Sequence, residues 1–441
     1  MRRFVGSKSF TSFVALVLLA GVLAPAAQAQ AQQQAQQAEI VLEVMHRWNA
    51  DRAPLLRAVL DRFEEAHPGV KVVDYVFGGD LNQRLTAAWA AGIGPDIAMV
   101  NWDSGPRFGR QGTLMALDGF AQREGITFDQ LIYPSIAEAI VADGLTYFLP
   151  MTINLGRHLL YYNARMFREG GLDPNAPPQT HSEWLRAARL LTRQNADGIY
   201  VQRGIDMVTN NNSRNYRLIE TLVEQWGTQM FNPASTQALP DIERIVSVAE
   251  WMLDFQATLG PVHPSGAGEG RPPFENEDVA MYMGIDGDWF IFSQGSPHIE
   301  LAMSALPVPD GEPLRSVLVP GWGWGIGHDT EHPELAWELL KWLSVAEQGG
   351  AWFILQQGRM SSNPEQNRNP AYLDFHPYWH VVAEVANAGM PFAQRCVNVL
   401  TGDLDRLIGG ALTQAAVGNG DVRSALLEAR RIFQAQCESG S

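Results

Sequence analysis

Apolar positions alternate, then switch to helical spacing, and do so repeatedly over the first hundred residues. Ile40, Leu42 and Val44 alternate against Val41 and Met45 over residues 39–46, which predicts a strand. Pro54 to Ala66 follows with Leu55, Leu56, Val59, Leu60 and Phe63 at helical spacing. Pro54 suits the first turn of that helix, where a missing N–H leaves nothing unpaired. Val70 to Phe77 predicts a second strand and Leu81 to Ala91 a second helix, and the turn Gly92-Ile93-Gly94-Pro95-Asp96 delivers a third strand, Ile97 to Val100. Such β-α-β-α-β alternation implies a parallel sheet whose ligands sit beyond the C-terminal strand ends. Two loops fall at that edge: one with Trp48, Asn49, Asp51 and Arg52, the other with Asn101, Trp102 and Asp103.

The middle of the chain, Asp143 to Leu172, reads as a crossover between lobes. Tyr147-Phe148-Leu149 is a short apolar strand, Pro150 removes a ladder donor, and Leu159 to Tyr162 starts a second strand that enters a helix through Asn163. The polar stretch between them, Thr152 to His158 with Asn154, suits a hinge and one wall of a ligand cleft; an ordinary loop is the alternative. Thr180 and Glu183 have capping-box spacing ahead of the helix Trp184 to Thr192, whose Trp184 reads as a packing residue. A short strand, Gly204 to Val208, leads to Asn210, Asn211 and Asn212, which read either as turn formers or as ligand contacts at a strand end. Helices are expected over Tyr216–Gln225 and Asp241–Ala257, with an exposed loop over Gly260–Pro273. Phe274 to Met283 leads a strand into Gly284-Ile285-Asp286-Gly287-Asp288-Trp289, a concentration of carboxylates and an indole. In Pro320 to Gly325, Trp322 and Trp324 stand at i and i+2, so extended backbone turns both to one side. A helix over Pro333–Leu343 and helices from Tyr378 onward finish the chain.

At 441 residues the chain is comfortable for two domains. The N-terminus changes the picture. Arg2, Arg3 and Lys8 precede an apolar run from Phe10 to Ala24, and Ala27-Gln28-Ala29 offers a cleavage point, so residues 1–29 read as a secretory signal peptide. The run is too short for a membrane anchor, and no Cys lies near the cleavage region to carry a lipid. Residues 30–38 are a Gln/Ala-rich spacer with no core to bury. Loss of the three basic residues takes the formal charge from −16 to −19, an acidic body that argues against nucleic acid and anionic membrane surfaces. Two cysteines are present, Cys396 and Cys437; a disulfide and two buried thiols are both open readings. Two cysteines without HEXXH or paired CXXC spacing argue against zinc, and no cofactor is expected.

Carbohydrate recognition needs flat apolar surfaces for the C–H faces of a pyranose and planar polar groups for its hydroxyls; Trp supplies the first, Asp, Asn and Arg the second. Trp48, Trp102, Trp289, Trp322 and Trp324 fall in strand-end loops, whereas Trp184, Trp251 and Trp337 fall on expected helices. Catalysis has weaker support: GXSXG is absent, and Asp286 and Asp288 stand too close in sequence to flank a scissile glycosidic bond.

Six motifs then occur in one order: FEEAHPGVKV; AAGIGPDIAMVNWD; RQGTLMALDGF; YFLPMTINLGRHLLYYNARMFREGGL; FENEDVAMYMGIDGDWF; and PGWGWGIGHDTEHPELAWELLKWL followed by Gly358-Arg359. Over Glu39 to Gln434 the chain resembles the extracellular solute-binding proteins of ABC sugar transporters, the group that contains maltose-binding protein. The resemblance implies a two-lobed periplasmic-binding-protein fold of the class II type, α/β, each lobe a sheet flanked by helices with a hinge between. It implies sugar contacts at Asp51, Arg52, Asp103, Trp102, Asn154, Asn210 to Asn212 and Trp289. It also implies a membrane permease as partner. Around Met390 to Leu400 no stacking Trp is found, and Trp322 and Trp324 are the expected substitutes.

The chain is therefore expected to be a monomeric, non-catalytic periplasmic protein that carries a sugar, with lobe 1 at 39–150 plus 301–345 and lobe 2 at 151–300 plus 346–441. Glycerol phosphate or another phosphorylated polyol is the alternative ligand and would need an anion site at Arg214 or Arg359. A secreted carbohydrate enzyme using Asp286 or Asp288 is the third reading.

Overall fold

A computed structural model describes residues 40–49, 52–262, 271–390, 392–396 and 398–439. The expected signal peptide and spacer, Asp51, and most of the loop expected before Pro273 lie outside the described residues.

In chain order the strands that position the site are β1 (Ile40–His46), β2 (Val70–Val76), β3 (Ile97–Asn101), β4 (Leu149–Pro150), β5 (Ile153–Asn154), β6 (Leu159–Asn163), β7 (Met281–Gly284), β8 (Leu301–Ala305), β9 (Val319–Pro320) and β10 (Trp322–Ile326). The helices used below are α1 (Ala53–Ala66), α2 (Leu81–Ala90), α3 (Ser104–Arg110), α4 (Pro134–Ala139), α5 (His181–Leu191), α6 (Asn212–Gln225), α7 (Ile242–Leu259), α8 (Asp288–Gly295), α9 (Pro333–Ser344) and α10 (Val422–Glu438).

The first lobe is built on a five-stranded sheet in the order β2-β1-β3-β10-β4. β1 runs parallel to β2 and β3, as the alternation of strands and helices requires, while β10 returns antiparallel to both β3 and β4. The stripe Leu56, Val59, Leu60 and Phe63 of α1 is fully buried against this sheet, and α9 covers it through Ala336, Leu339, Leu340 and Leu343. β10 carries the run Trp-Gly-Trp-Gly because its glycine face has no room. A Cβ on Gly323 would lie 2.2 Å from the Leu149 carbonyl oxygen, and one on Gly321 would lie 2.0 Å from Thr152 Oγ1.

The second lobe is built on β7-β6-β8, with both outer strands antiparallel to β6. β6 is buried on both faces: Leu159 and Tyr161 belong to the first core, Leu160 and Tyr162 to the second. That is why Leu-Leu-Tyr-Tyr reads as a continuous apolar run rather than an alternating one. Around this sheet α5, α6, α7 and α10 enclose the second core, with Trp184 fully buried at its centre.

Between the sheets, β5 pairs antiparallel with β9 through Asn154 opposite Val319 and Ile153 opposite Pro320, and Thr152 bridges Ser361. The Thr152–His158 crossover is thus one member of a bundle of chain crossings, as a hinge needs.

Several expected elements differ. Leu301–Ala305 pairs with β6 in the second sheet, so this stretch leaves the expected lobe 1. Phe353, Ile354 and Leu355, expected in lobe 2, pack in the first core. Gly204–Val208 is buried but forms no strand, because the N–H groups of Met207 and Val208 donate to Gln256 Oε1 of α7, at 3.0 and 3.1 Å, instead of to a neighbouring strand. The strand expected from Phe274 begins only at Met281, after a short helix over Arg271–Glu275.

Candidate functional site

The C-terminal end of β3 gives the first lobe an aromatic and acidic pair, Trp102 and Asp103. Asn101 accepts the N–H groups of Asp103 and Ser104, at 3.1 and 2.9 Å, and so starts α3 while leaving the side chains of Trp102 and Asp103 half-exposed. Across from them stands part of the 390–400 stretch of the second lobe, where the search for a stacking Trp passed over Phe392 and Arg395. Phe392 packs on the edge of the Trp102 ring with centroids 5.2 Å apart. The Arg395 guanidinium lies 4.9 Å from the centre of that ring and is paired with Asp103. An indole face, a carboxylate and a guanidinium in one place can stack a ring and bind its hydroxyls.

The other expected contacts divide by burial. Trp322, at the open end of β10, is half-exposed with the Arg47 guanidinium 4.9 Å from its ring centre. Trp324, two residues on and on the same face, is fully buried beneath α9, and its indole N–H donates to the Leu343 carbonyl at 3.2 Å. The shared face was read correctly, but a helix covers only one of the two positions, so Trp324 is a core residue. Trp48 is also buried, 5.7 Å from Phe353, with Arg52 5.0 Å from its ring centre; Asn49 is exposed and its carbonyl accepts the first N–H groups of α1. Trp289 is buried, its face stacked on His376 at 4.7 Å and Tyr378 against it at 5.1 Å. The face expected to meet a sugar is therefore occupied. Burial pushes the His376 imidazole down to about 3, which keeps this stack neutral.

Asp286 and Asp288 are buried and hold backbone: Asp286 Oδ2 accepts Met360 N–H at 3.0 Å, and Asp288 Oδ2 accepts Ile285 N–H at 3.0 Å. Burial raises the Asp286 carboxyl, opposed by the Arg359 charge. Arg359 in turn donates to Asn154 Oδ1 at 2.6 Å, so Asn154, Arg359 and Asp286 meet at the hinge. Neither aspartate faces open space, which removes the geometry a glycosidase pair needs. Of the asparagines, Asn211 caps α6 by accepting Arg214 N–H at 3.0 Å, Asn212 accepts from Thr413 Oγ1 at 2.7 Å, and Asn210 is exposed. Asn211 is thus a helix cap and Asn212 the first residue of α6, neither with the left-handed backbone of a turn former. Cys396 and Cys437 are joined, with Cα atoms 5.1 Å apart.

One face of α6 adds a polar wall. Tyr216 donates to Glu220 at 2.6 Å, and His158 Nε2 lies 2.8 Å from Glu224 Oε2. Arg157, buried beside them, donates to the Tyr282 hydroxyl at 3.0 Å. Burial pushes Glu220 up to about 7, helped by the neighbouring Glu224, and Glu224 up to about 8; it pushes His158 down to about 3. Burial thus favours the neutral form of both Glu224 and His158. Tyr216, Glu220 and Glu224 recur every four residues along α6 and so share one face, a signal that was present in the sequence and unused.

A pH dependence follows. Both carboxyls bind protons more tightly folded than at their ordinary value of 4.5, so their contribution to stability is complete below that value and is lost as pH rises through about 7 and about 8. Through these two groups the unfolding midpoint is expected to fall from about pH 4.5 to about pH 8. Glu220→Gln and Glu224→Gln each flatten that slope; thermal melts across the range check it.

Comparison with known proteins places these features. A family model described as bacterial extracellular solute-binding protein matches residues 49–350. The sn-glycerol-3-phosphate-binding periplasmic protein of Pectobacterium atrosepticum is 29% identical over 154 residues, 33% of this chain and 33% of that protein. The match thus spans about a third of that relative's length. Among solved structures, the maltose/maltodextrin-binding domain of Bdellovibrio bacteriovorus bound to maltotriose superimposes with a TM-score of 0.68 at 18% identity, covering 91% of this chain and 100% of that one. The cyclic α-maltosyl-1,6-maltose binding protein of Arthrobacter globiformis gives 0.71 at 19% identity, over 91% and 100%. At such identities the likeness shows the two-lobed fold.

Proposed function

From the premise that the chain belongs to the bacterial extracellular solute-binding protein family, we propose that it is the periplasmic substrate-binding component of an ABC importer. It takes a sugar, mono- or oligosaccharide, between its lobes and delivers it to a membrane permease, without turnover and as a monomer, after export on residues 1–29. The observation that carries this reading is the half-exposed Trp102–Asp103 pair at the end of β3, facing Phe392 and Arg395 of the other lobe. Stacking on the indole and hydrogen bonds to the carboxylate and guanidinium are what a pyranose requires. The structural neighbour bound to maltotriose, and the one described as a cyclic α-maltosyl-1,6-maltose binding protein, lend support. A ligand gripped from both lobes favours the closed arrangement by its differential affinity for it.

Glycerol phosphate is the second reading, favoured by the printed name of the matched relatives. Arg395, paired with Asp103 beside Trp102, rather than Arg359, bonded to Asn154 at the hinge, is then the cation that an anion would have to draw from its carboxylate partner.

A thermal-shift panel of neutral sugars, polyols and glycerol phosphates tests both. A neutral sugar at about 100 times its Kd is expected to stabilise the protein by about 2.7 kcal/mol. Trp102→Ala should weaken that ligand by about 1 kcal/mol, roughly fivefold. A shift with glycerol phosphate alone, fading as salt rises, selects the second reading. No shift with either class rejects both.

A further inference from the structure

Residues 392–396 and 398–401 are fastened to one lobe and reach to the other. Their backbone belongs to the second lobe: Ala393 N–H donates to Gln229 Oε1 at 2.9 Å, and the Gln394 carbonyl accepts from Ser235 Oγ at 3.0 Å. Ala393, Cys396 and Val399 are buried in the second core, and Cys396 is covalently joined to Cys437 of α10. Three residues of the same stretch, at 392, 394 and 395, point the other way. Phe392 meets Trp102, the Gln394 amide donates to the Ala139 carbonyl of α4, and Arg395 pairs with Asp103 while also donating to Thr401 Oγ1. Arg395 is largely buried in this position, with 10% of its side chain exposed, against 42% for Asp103. A groove of about 510 Å³ lies alongside, lined by α3 on one side and Val399, Leu400 and Thr401 on the other.

We propose that this segment is a disulfide-anchored clasp: it joins the two lobes directly, with Arg395 as the positioning residue that sets how far they stand apart. A flexible loop would gain little from one half-exposed ion pair, because ordering the long arginine side chain offsets most of the attraction. Here the disulfide, two backbone hydrogen bonds and three buried apolar anchors already fix the base of the side chain. The ordering cost is therefore met before Arg395 reaches Asp103, as preorganisation requires. The cation over the indole and the aromatic contact of Phe392 add to the same bridge. The proposal uses the two-lobed fold and the hinge; it does not depend on which ligand the cleft takes.

Small-angle scattering of the protein with no sugar added reads the clasp. A compact chain of this size has a radius of gyration of roughly 21 Å, and opening at the hinge should raise it by about 1 Å. Arg395→Ala and Asp103→Ala are each expected to give that rise at low salt, with the double variant no larger than either single one. Raising salt should open the wild-type protein and leave the variants unchanged, because the pair is partly exposed to screening. Cys396→Ser/Cys437→Ser should give the same opening with an unchanged circular dichroism spectrum, and Gln394→Ala serves if Arg395→Ala folds poorly. Equal radii for wild type and variants at all salt concentrations overturn the proposal. Because no ligand is present, that result leaves the ligand-binding reading standing, and a panel without a binder leaves the clasp standing.

Discussion

Removing the Cys396–Cys437 disulfide is expected to lower the stability of the second lobe by about 4 kcal/mol. The two residues are 41 apart in sequence, and closing a loop of that length removes unfolded-state entropy worth about 4 kcal/mol at 25 °C. Both sulfurs sit in the second core, so breaking the bond leaves α10 docked only through its buried face, Val422, Leu426, Ala429 and Phe433. Urea unfolding of Cys396→Ser/Cys437→Ser against wild type checks it. The midpoint should fall and the urea dependence steepen, since the unfolded chain without its cross-link exposes more surface. A loss under about 1 kcal/mol would mean that the helix face alone holds α10 in place.

Trp324→Ala should cost about 3 to 5 kcal/mol of stability, the range for emptying a fully buried tryptophan site. The residue has no exposed surface, sits between the first sheet and α9, and gives up one buried hydrogen bond to Leu343 on truncation. Ligand affinity of the protein that remains folded should be unchanged, because no part of the indole reaches the cleft. Trp102→Ala is expected to do the opposite: little change in the melting midpoint and a measurable loss of binding. The pair of variants thus separates a tryptophan that supports the cleft from one that lines it. A Trp324→Ala protein with native stability and weakened binding would reverse the assignment made from burial.

What could be read from the residues was what depends on near neighbours. Periods of two and of about 3.6 placed β1, α1, β2, α2 and β3, and a parallel sheet follows from that alternation because each parallel step needs a crossover. Capping chemistry was local as well: Thr180 and Glu183 form the expected box at the start of α5. Where an expectation needed a residue's distant surroundings, it divided. Gly204–Val208 has strand-like composition, yet Gln256, 48 positions away from Val208, takes its backbone donors. GWGWG was legible as a strand with both indoles on one face, but not that α9 lies over one and stops short of the other.

The functional residues divide in the same way. Trp102 and Asp103 lie at the end of an early strand in a regular unit, and there position along the chain settles position at the sheet edge. Trp289, Asp286 and Asp288 have equally suggestive chemistry, but His376 covers the ring and the backbone of Met360 and Ile285 uses the carboxylates. Arg395 carried no local signal at all, since its partner Asp103 is 292 residues away and only the folding of both lobes brings them together. Sequence periodicity and motif order by themselves determined the fold class, the family and the place of Trp102 and Asp103 at the end of β3, because those rest on contacts between chain neighbours. Which tryptophans face solvent, which acids are already engaged, and which arginine spans the lobes was decided only by tertiary packing, because burial belongs to a position in space and not to a residue type.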